Sequence, residues 1–367
     1  MITKVIISDL HIGGLTDFWA LENVIEQVIT KLKRLKVGKV DLILLGDVHD
    51  YQSLYPTQVT LTRGVWQSYA AAGVIEWIIE KFKANSIEVE KIIIVEGNHD
   101  RRIAENMSLS EVLLHALNDM GYDGKAFVSS YYIDEQNEAL YRHAILERTS
   151  GSYIYGITPR MIKEADKIML RHRTRFVISG HVHKYGCVKT THGYAITLPS
   201  FQIDLSRGEN DRGALIMLDG NTPIPVDPTK AIEVVDVEDL MLEVLVKLVE
   251  FIKIYRKKSS IPYHRCAIKE LLIGLPRAKK AANNGIWWKY AIIRIGSRTR
   301  VVDGDLMKRI VKIYEAFETT AEAIEHMVKV LGINVSTARN YIWSAIKLGL
   351  CKPKPKGKKK VQQKASD

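Results

Sequence analysis

The chain is organised around the stretch Lys91-Ile92-Ile93-Ile94-Val95-Glu96-Gly97-Asn98-His99-Asp100. Its first half is an apolar, β-branched run that is typical of a buried parallel strand. Its second half is a polar turn, and ligands collect at the carboxyl ends of strands in α/β sheets. An Asn amide oxygen and a His imidazole on one tight turn can serve a metal ion and a reacting phosphate, respectively. The stretch therefore predicts a functional site at the end of this strand.

Strand-like runs alternate with helical patterns on both sides of this stretch, which predicts an α/β domain over about the first 220 residues. We predict helices at 18–35, 65–82, 109–117 and 159–172, and strands at 4–8, 41–45, 91–95, 128–133, 139–146, 176–179, 194–198 and 214–218. The polar segment 134–138 is predicted to close a hairpin. The Pro-rich loop 223–228 is predicted to end the domain, and the apolar helix 237–255 to pack between domains.

Charge is distributed unevenly along the 367 residues, whose formal net charge is +11. Residues 1–252 hold 27 Lys and Arg against 34 Asp and Glu, whereas residues 253–367 hold 26 against 8, so the net charges are −7 and +18. A basic part joined to an acidic part suggests a polyanionic partner, most simply nucleic acid. A solvated basic surface in a Lys-rich proteome is the alternative.

The composition is that of a soluble globular protein. No apolar run is long enough to span a bilayer, and the N-terminus has the pattern of a strand rather than of a signal sequence. The three cysteines, Cys187, Cys266 and Cys351, are odd in number and far apart, so neither a disulfide framework nor a zinc ribbon is predicted. We therefore expect a cytoplasmic protein without a membrane partner.

Metal-binding residue types follow one predicted strand after another. In chain order the blocks are Asp9-Leu10-His11, Gly46-Asp47-Val48-His49-Asp50, Gly97-Asn98-His99-Asp100, His143 and Gly180-His181-Val182-His183. A single Asp-x-His or His-x-His is more often loop polarity than a ligand pair, but the complete series argues against coincidence.

The chemistry of a two-metal centre explains these residue types. Two divalent cations about 3.5–4 Å apart need a bridging carboxylate, His and carboxylate ligands, and open positions for water and a phosphate oxygen. A hydroxide held between them can attack phosphorus in line. Glycines at 46, 97 and 180 let the backbone turn tightly and approach the site.

The five blocks resemble those of the calcineurin-like metallophosphoesterases over residues 1–220. The resemblance implies an α/β fold, also classed as α+β. It would be a four-layer sandwich in which two mixed sheets are flanked by helices. A smaller, mainly α C-terminal domain would follow. The resemblance also implies two divalent metal ions, for which we expect Mn²⁺, with Fe²⁺, Zn²⁺ and Ni²⁺ as alternatives. Some branches of the family keep only one occupied site.

The same resemblance implies a role for each residue of the blocks. The first metal would be bound by Asp9, His11 and His183, the second by Asn98, His143 and His181, and Asp47 would bridge the two. His99 would contact the scissile phosphate and protonate the leaving oxygen, oriented by Asp100. The fourth block, Arg142-His143-Ala144, departs from the Gly-His of many members, so His115 and His172 are alternatives to His143.

Three further residues are candidates for contacts with the substrate phosphate. Arg101 and Arg102 directly follow the turn, where a guanidinium could clamp a phosphate. His49 lies within the second block and could point at substrate, although a solvated or hydrogen-bonded His49 is the alternative. At least one of the two arginines is expected to be an ordinary surface charge.

The basic part of the chain divides into three predicted segments. Residues 259–302 carry basic residues interleaved with Trp287 and Trp288, which suits a nucleic-acid surface, although both rings fit a core equally well. Residues 303–350 are predicted to form helices at 305–317, 320–331 and 336–348. The Lys-rich tail 351–367 is predicted to be disordered. Including the first domain, 1–235, and a connecting helix, 236–258, the chain has five predicted parts.

The three predicted helices resemble helix-turn-helix domains, in which the last helix lies in the major groove of DNA. Ser336 is predicted to cap this helix. The residues presented to DNA would be Ser336, Thr337, Arg339 and Asn340. Because such units also serve in protein contacts and residues 301–350 carry no net charge, a role in protein binding is the alternative.

Together these patterns predict a metal-dependent phosphodiesterase that acts on nucleic acid, most simply DNA. The chain is similar to the repair-nuclease branch of the family, although a helix-turn-helix is not that branch's usual accessory. One alternative is a phosphatase or small-molecule phosphodiesterase that is tethered to DNA. Another is a DNA-binding regulator whose phosphoesterase domain is inactive.

Overall fold

The structure is a computed structural model. It describes residues 2–50, 60–62, 64–104, 106–146, 157–203, 209–218, 222–228, 232–259, 290–295, 298–347 and 351–354. Trp287, Trp288, Cys266 and the end of the tail, 355–367, lie outside the described residues. Within the described residues, no helix is long and apolar enough to cross a membrane.

The first sheet is mixed and has six strands. From edge to edge they are β14 (Thr222–Val226), β13 (Ala214–Leu218), β1 (Thr3–Ile7), β2 (Lys39–Leu45), β3 (Glu88–Val95) and β6 (Ala126–Ser129). The neighbouring strands β1, β2, β3 and β6 pair in parallel. At the other edge, β13 pairs antiparallel with β1, and β14 pairs antiparallel with β13. The parallel strands therefore end at one side of the sheet, where their loops meet.

The second sheet is also mixed and has five strands. In spatial order they are β10 (Gly186–Lys189), β11 (Tyr194–Thr197), β9 (Phe176–Ser179), β8 (Ala139–Arg142) and β7 (Tyr131–Asp134). The strands β8, β9 and β11 run parallel to one another, and β7 and β10 are antiparallel edges. A short pair, β4 (Ile103–Ala104) and β5 (Met107–Ser108), follows β3.

Helices cover the outer faces of both sheets. The helices of the first domain are α1 (Phe18–Arg34), α2 (Val65–Ala84), α3 (Leu109–Leu117), α4 (Pro159–His172) and α5 (Val237–Lys258), and a π-helical turn, Asn118–Tyr122, continues α3. Alternation along β1 shows how the layers form, because Val5 and Ile7 pack under the helices whereas Ile6 packs between the sheets. A further apolar cluster joins the second sheet to α4. The predicted four-layer α/β fold is confirmed.

Helix α5 packs lengthwise on α2 and contributes Leu248 and Phe251 to the core above the first sheet. The two helices approach closely at Gly73, where a Cβ atom would lie 1.9 Å from the backbone oxygen of Phe251. The helix that was predicted to pack between domains is therefore part of the helical layer over the first sheet. The glycine is needed because any larger residue would meet the α5 backbone.

Gly73→Ala is expected to destabilise the protein by about 1–3 kcal/mol, because overpacking a close helix contact forces the backbones apart. Alanine stabilises a helix by about 1 kcal/mol relative to glycine. A net loss of stability in this variant can therefore be attributed to the clash with α5. Denaturant unfolding measures the difference. Gly38→Ala is the matched control, since nothing lies within 4 Å of a Cβ at that position. Equal stability of both variants would contradict the close packing of α5 on α2.

A third sheet, which combines strands from before and after α5, and a C-terminal helical unit complete the described structure. The third sheet is antiparallel in the order β12 (Glu209–Asp211), β17 (Arg298–Asp303), β16 (Tyr290–Ile295) and β15 (Ile232–Asp236). The helical unit consists of α6 (Gly304–Ala316), α7 (Thr320–Leu331) and α8 (Val335–Lys347), packed around Ile310, Tyr314 and Met327. The three helices predicted for this region are confirmed, and Cys351 is buried in their core.

Three local predictions were wrong. The run 128–133 is not one strand, because β6 pairs with β3 in the first sheet whereas β7 pairs with β8 in the second. The Pro-rich loop contains β14, whose prolines are tolerated because β14 is an edge strand. The cap of α8 is Asn334, whose Oδ1 accepts the Thr337 N–H at 2.8 Å, and not Ser336, which lies inside the first turn.

Candidate metal centre

The predicted ligands lie together where the parallel strands end. Asp9 and His11 follow β1, Asp47 follows β2, and Asn98 follows β3. From the second sheet, His143 follows β8, and His181 and His183 follow β9. The two sheets therefore contribute ligands from facing strand ends to one site.

Five of these residues hold the backbone in the left-handed region. Their φ values lie between 44° and 68°, and they are Asp9, His11, Asp47, His181 and His183. This conformation is uncommon for residues other than glycine, and such strained positions cluster at functional sites. The backbone here is bent to turn the side chains towards one another at the cost of local strain.

The first predicted ligand set is a compact, buried cluster. The Nε2 atoms of His11 and His183 are 3.3 Å apart, and Asp9 Oδ1 lies 3.5 Å from His183 Nε2. Ligand atoms that are each about 2.1 Å from one metal ion lie roughly 3–3.4 Å from one another. The spacing of this cluster therefore fits a single divalent cation, and its nitrogen and oxygen donors suit a transition metal.

The second predicted ligand set converges on one nitrogen atom, His143 Nε2. This atom lies 3.2 Å from Asp47 Oδ2, 3.0 Å from Asn98 Oδ1 and 3.1 Å from His181 Nδ1. The structure thus brings His143, rather than the alternatives His115 and His172, into the cluster. The donor spacing again fits one metal ion.

Asp47 lies at the junction of the two clusters. Its Oδ2 atom is 3.2 Å from His143 Nε2 and 3.9 Å from His11 Nε2. The turn that follows β3 approaches this carboxylate closely, since a Cβ atom on Gly97 would lie 2.1 Å from Asp47 Oδ1. His99 donates its backbone N–H to the same oxygen at 2.9 Å. Asp47 is therefore held with one oxygen on the turn and the other between the two clusters.

The charges in the centre favour cation binding. Burial raises the pKa of the Asp47 carboxyl, but the charges of His143 and His99 outweigh burial and hold that pKa well below its usual range. Burial lowers the pKa of His143, but Asp47 and Asp9 outweigh it and raise that pKa to about 9. Burial and the charge of His143 lower the pKa of His181 to about 4. A pocket that retains a proton on His143 carries excess negative charge, which a bound cation would offset.

The two clusters differ in their access to solvent. Asp9, His11 and His183 are buried, whereas His181 is half-buried and Asn98 is exposed. The side of the centre that reaches solvent is therefore that of Asn98 and His181, whereas His143 of the same cluster is buried.

The residues next to the turn depart from their predicted roles. His99 Nδ1 lies 2.7 Å from the Asp50 carbonyl oxygen, so Asp50 and not Asp100 orients this ring. Asp100 instead pairs with His49, whose Nδ1 is 2.6 Å from Asp100 Oδ1. Burial raises the pKa of Asp100, but the bond to His49 outweighs burial and lowers it. His49 is fully buried and its Nε2 faces Ser68, so it cannot contact substrate as predicted.

Asp50 contacts the first cluster, although the sequence patterns gave this residue no role. Its carboxylate is fully buried, and Oδ1 lies 3.3 Å from His11 Nδ1, on the side of the ring away from His183. A carboxylate in this position commonly supports a ligating histidine. Gln202 and Thr60 hold the carboxylate through bonds of 2.9 and 3.0 Å. The sequence contains a signal for this role, because Asp50 is the last residue of the block of metal-binding residue types at 46–50.

The remaining predicted contacts lie on the surface. Arg101 and Arg102 are exposed, and Arg101 Nε is 3.9 Å from Glu96 Oε2. In α8, Arg339, Asn340 and Ser336 are exposed, whereas Thr337 is half-buried.

Fold and centre together define an α/β protein with two adjacent His and carboxylate clusters that could hold divalent metals. The calcineurin-like phosphoesterase family matches residues 2–185, half of the chain. The chain therefore belongs to the calcineurin-like phosphoesterase family. Membership implies a metal-dependent phosphoester hydrolase. No curated protein matches the chain.

The solved structures to which the chain is similar include phosphoesterases. A novel archaeal phosphodiesterase is 17% identical, with 61% of this chain and 99% of that chain covered and a TM-score of 0.33. A hypothetical protein of Pyrococcus horikoshii is 12% identical over 74% and 98% of the two chains, with a TM-score of 0.38. The phosphoesterase Yfce of E. coli is 15% identical over 59% and 88%, with a TM-score of 0.30.

Proposed function

We propose that this protein is a two-metal phosphodiesterase that cleaves nucleic acid, most simply DNA. The observation that carries the proposal is the position of Asp47 Oδ2, between His143 of one cluster and His11 of the other. A shared carboxylate between two ligand sets is what a dinuclear centre requires. Asp9, His11 and His183 would hold one ion, and Asn98, His143 and His181 the other.

The residues around the centre have separable tasks in this reaction. Metal ions bound there would lower the pKa of a shared water to about 7 and offset charge on the phosphoryl oxygens. His99 supplies the proton for the leaving oxygen. A carbonyl oxygen only accepts hydrogen bonds, so Nδ1 of His99 keeps its proton on the Asp50 carbonyl. The proton that is transferred is therefore carried by Nε2.

The nucleic-acid partner is supported by the surface of α8. Arg339, Asn340 and Trp343 are exposed, and Trp343 follows Arg339 by four residues and Asn340 by three, which places Trp343 next to both on one side of the helix. The helix holds two basic residues, Arg339 and Lys347, and no acidic one. A helix face that presents an arginine and a stackable ring suits a polyanion with bases. The net charge of +18 over residues 253–367 supports the same partner.

A substrate panel tests the reaction. Linear duplex, nicked and single-stranded DNA, RNA, a generic diester and a monoester are incubated with the protein and Mn²⁺, with and without chelator. Cleavage of DNA and of the diester that chelator abolishes is the expected result. Turnover of the monoester or the generic diester with intact DNA would instead favour the phosphatase or small-molecule phosphodiesterase alternative. No turnover of any ester with retained DNA binding would favour the inactive regulator.

Arg339→Ala is expected to weaken DNA binding and to reduce the slope of log K against log salt by about 1, the value for loss of one phosphate contact. Turnover of a generic small diester should not change, because Arg339 belongs to α8 and not to the metal centre. Glu325→Gln, an exposed change on α7 that removes a negative charge, is the control. Binding titrations at several salt concentrations measure the effect. An unchanged salt slope in Arg339→Ala would exclude a phosphate contact by Arg339.

A further inference from the structure

The carboxylate of Asp100 joins the two loops that carry the centre of the site. Its Oδ2 atom accepts the backbone N–H of Gly97 at 2.9 Å and that of Val48 at 3.3 Å. Its Oδ1 atom accepts the backbone N–H of His49 at 3.0 Å. The carboxylate therefore holds the loop after β2, which carries Asp47, against the turn after β3.

The imidazole of His49 supports this carboxylate from the other side. Nδ1 lies 2.6 Å from Asp100 Oδ1, and Nε2 lies 3.1 Å from the Ser68 hydroxyl in α2. The Ser68 hydroxyl in turn donates to the backbone oxygen of Leu109, at the start of α3, over 3.0 Å. All three side chains have 0% exposure. The network thus fixes the two loops to the helical layer, away from solvent.

We propose that His49 is a positioning residue of the metal centre, acting through Asp100. A carboxylate that is buried without a charged or hydrogen-bonding partner is strongly disfavoured, and His49 is the side-chain partner that the structure gives to Asp100. Loss of His49 leaves a buried carboxylate on backbone N–H groups alone. The two loops then separate or shift, and with them Asp47, which lies between the two clusters, and Asn98 of the second cluster. This inference rests on the proposed two-metal function.

Three substitutions separate this role from simple loss of packing. His49→Leu removes both ring contacts and is expected to lower kcat by about 10–100-fold and to weaken Mn²⁺ binding, with little change in KM. His49→Asn places an amide N–H near the position of Nδ1, so it keeps the bond to Asp100 and recovers most of both losses. Ser68→Ala cuts only the connection to the helices, and its effect on kcat should be smaller than that of His49→Leu.

A variant that is destabilised away from the centre is the control for a purely structural effect. Leu32→Ala, which truncates a buried residue at the far end of α1, lowers the melting temperature but should leave kcat and Mn²⁺ affinity unchanged. Calorimetric titration with Mn²⁺ is followed by kinetics on a generic diester for all five proteins, including the wild type.

The outcomes distinguish this inference from the proposed function. Weaker Mn²⁺ binding in His49→Leu, recovered in His49→Asn, supports the positioning role. Mn²⁺ affinity and kcat in His49→Leu equal to those of the wild type would overturn it, as would an Asn variant no better than the Leu variant. If the wild-type protein cleaves no ester, the proposed function fails, whereas the Mn²⁺ affinities still decide whether His49 positions the ligands.

Discussion

His99→Ala is expected to lower the turnover of an unactivated phosphodiester by about 10²–10⁴-fold, the usual contribution of a general acid, while both metal ions stay bound. The side chain is 7% exposed, and its Nδ1 atom is fixed on the Asp50 carbonyl. The backbone N–H of residue 99, which donates to Asp47 Oδ1, survives the change to alanine. The substitution therefore removes the proposed proton donor without removing the backbone contact that places Asp47.

Esters with different leaving groups distinguish the loss of a general acid from a change in the geometry of the metal centre. An ester of a good leaving group, such as a nitrophenolate, needs little protonation, so its turnover should fall much less in His99→Ala than that of a DNA-like ester. Metal content is measured by mass spectrometry in parallel. A third group of possible ligands, His11, Asp50 and His99, also lies within 4.8 Å. Loss of a metal ion from His99→Ala would therefore identify His99 as a ligand instead.

The clusters of candidate ligands could be anticipated because each candidate follows the end of a strand within a few residues. Asp9, Asp47 and Asn98 reach one sheet edge through strand order alone, and such an edge gathers polar residues in any parallel sheet. The contacts of Asp100 could not be anticipated. They depend on His49, 51 residues earlier in the chain, and on the depth at which two loops and α2 meet. Side-chain pairing inside a buried loop has no periodic signal in the sequence.

The errors in the fold have a similar cause. Residues 126–134 are rich in the aromatic and β-branched residues of a strand, and nothing local shows that the chain leaves the first sheet after Ser129 and enters the second at Tyr131. Prolines 223 and 225 suggest a loop unless it is known that β14 is an edge, where an absent N–H costs no hydrogen bond. Strand position within a sheet is a tertiary property, which single-sequence patterns do not contain.

Lys4→Met is expected to destabilise the protein by about 3–5 kcal/mol, the usual cost of removing one partner from a buried ion pair. Lys4 is 3% exposed, and its Nζ lies 2.7 Å from Asp41 Oδ2 in the first sheet and 3.7 Å from Asp134 Oδ2 in the second. Burial lowers the pKa of Lys4, but the two carboxylates outweigh burial and raise it above 10.5. This ion pairing is therefore complete at pH 7 and is lost only as the pH rises through the raised value.

A double substitution separates the value of the charges from the cost of leaving them unpaired. Because buried ion pairs gain little over apolar residues of similar volume, Lys4→Met combined with Asp41→Leu should recover a large part of the stability lost in Lys4→Met. Asp134 keeps its bond to Asn137 Nδ2, at 2.7 Å, in both variants. Denaturant unfolding of the wild type, both single variants and the double variant completes the cycle. A loss below about 1 kcal/mol in Lys4→Met would mean that water or protonation satisfies the carboxylates, and that Lys4 does not hold the two sheets together.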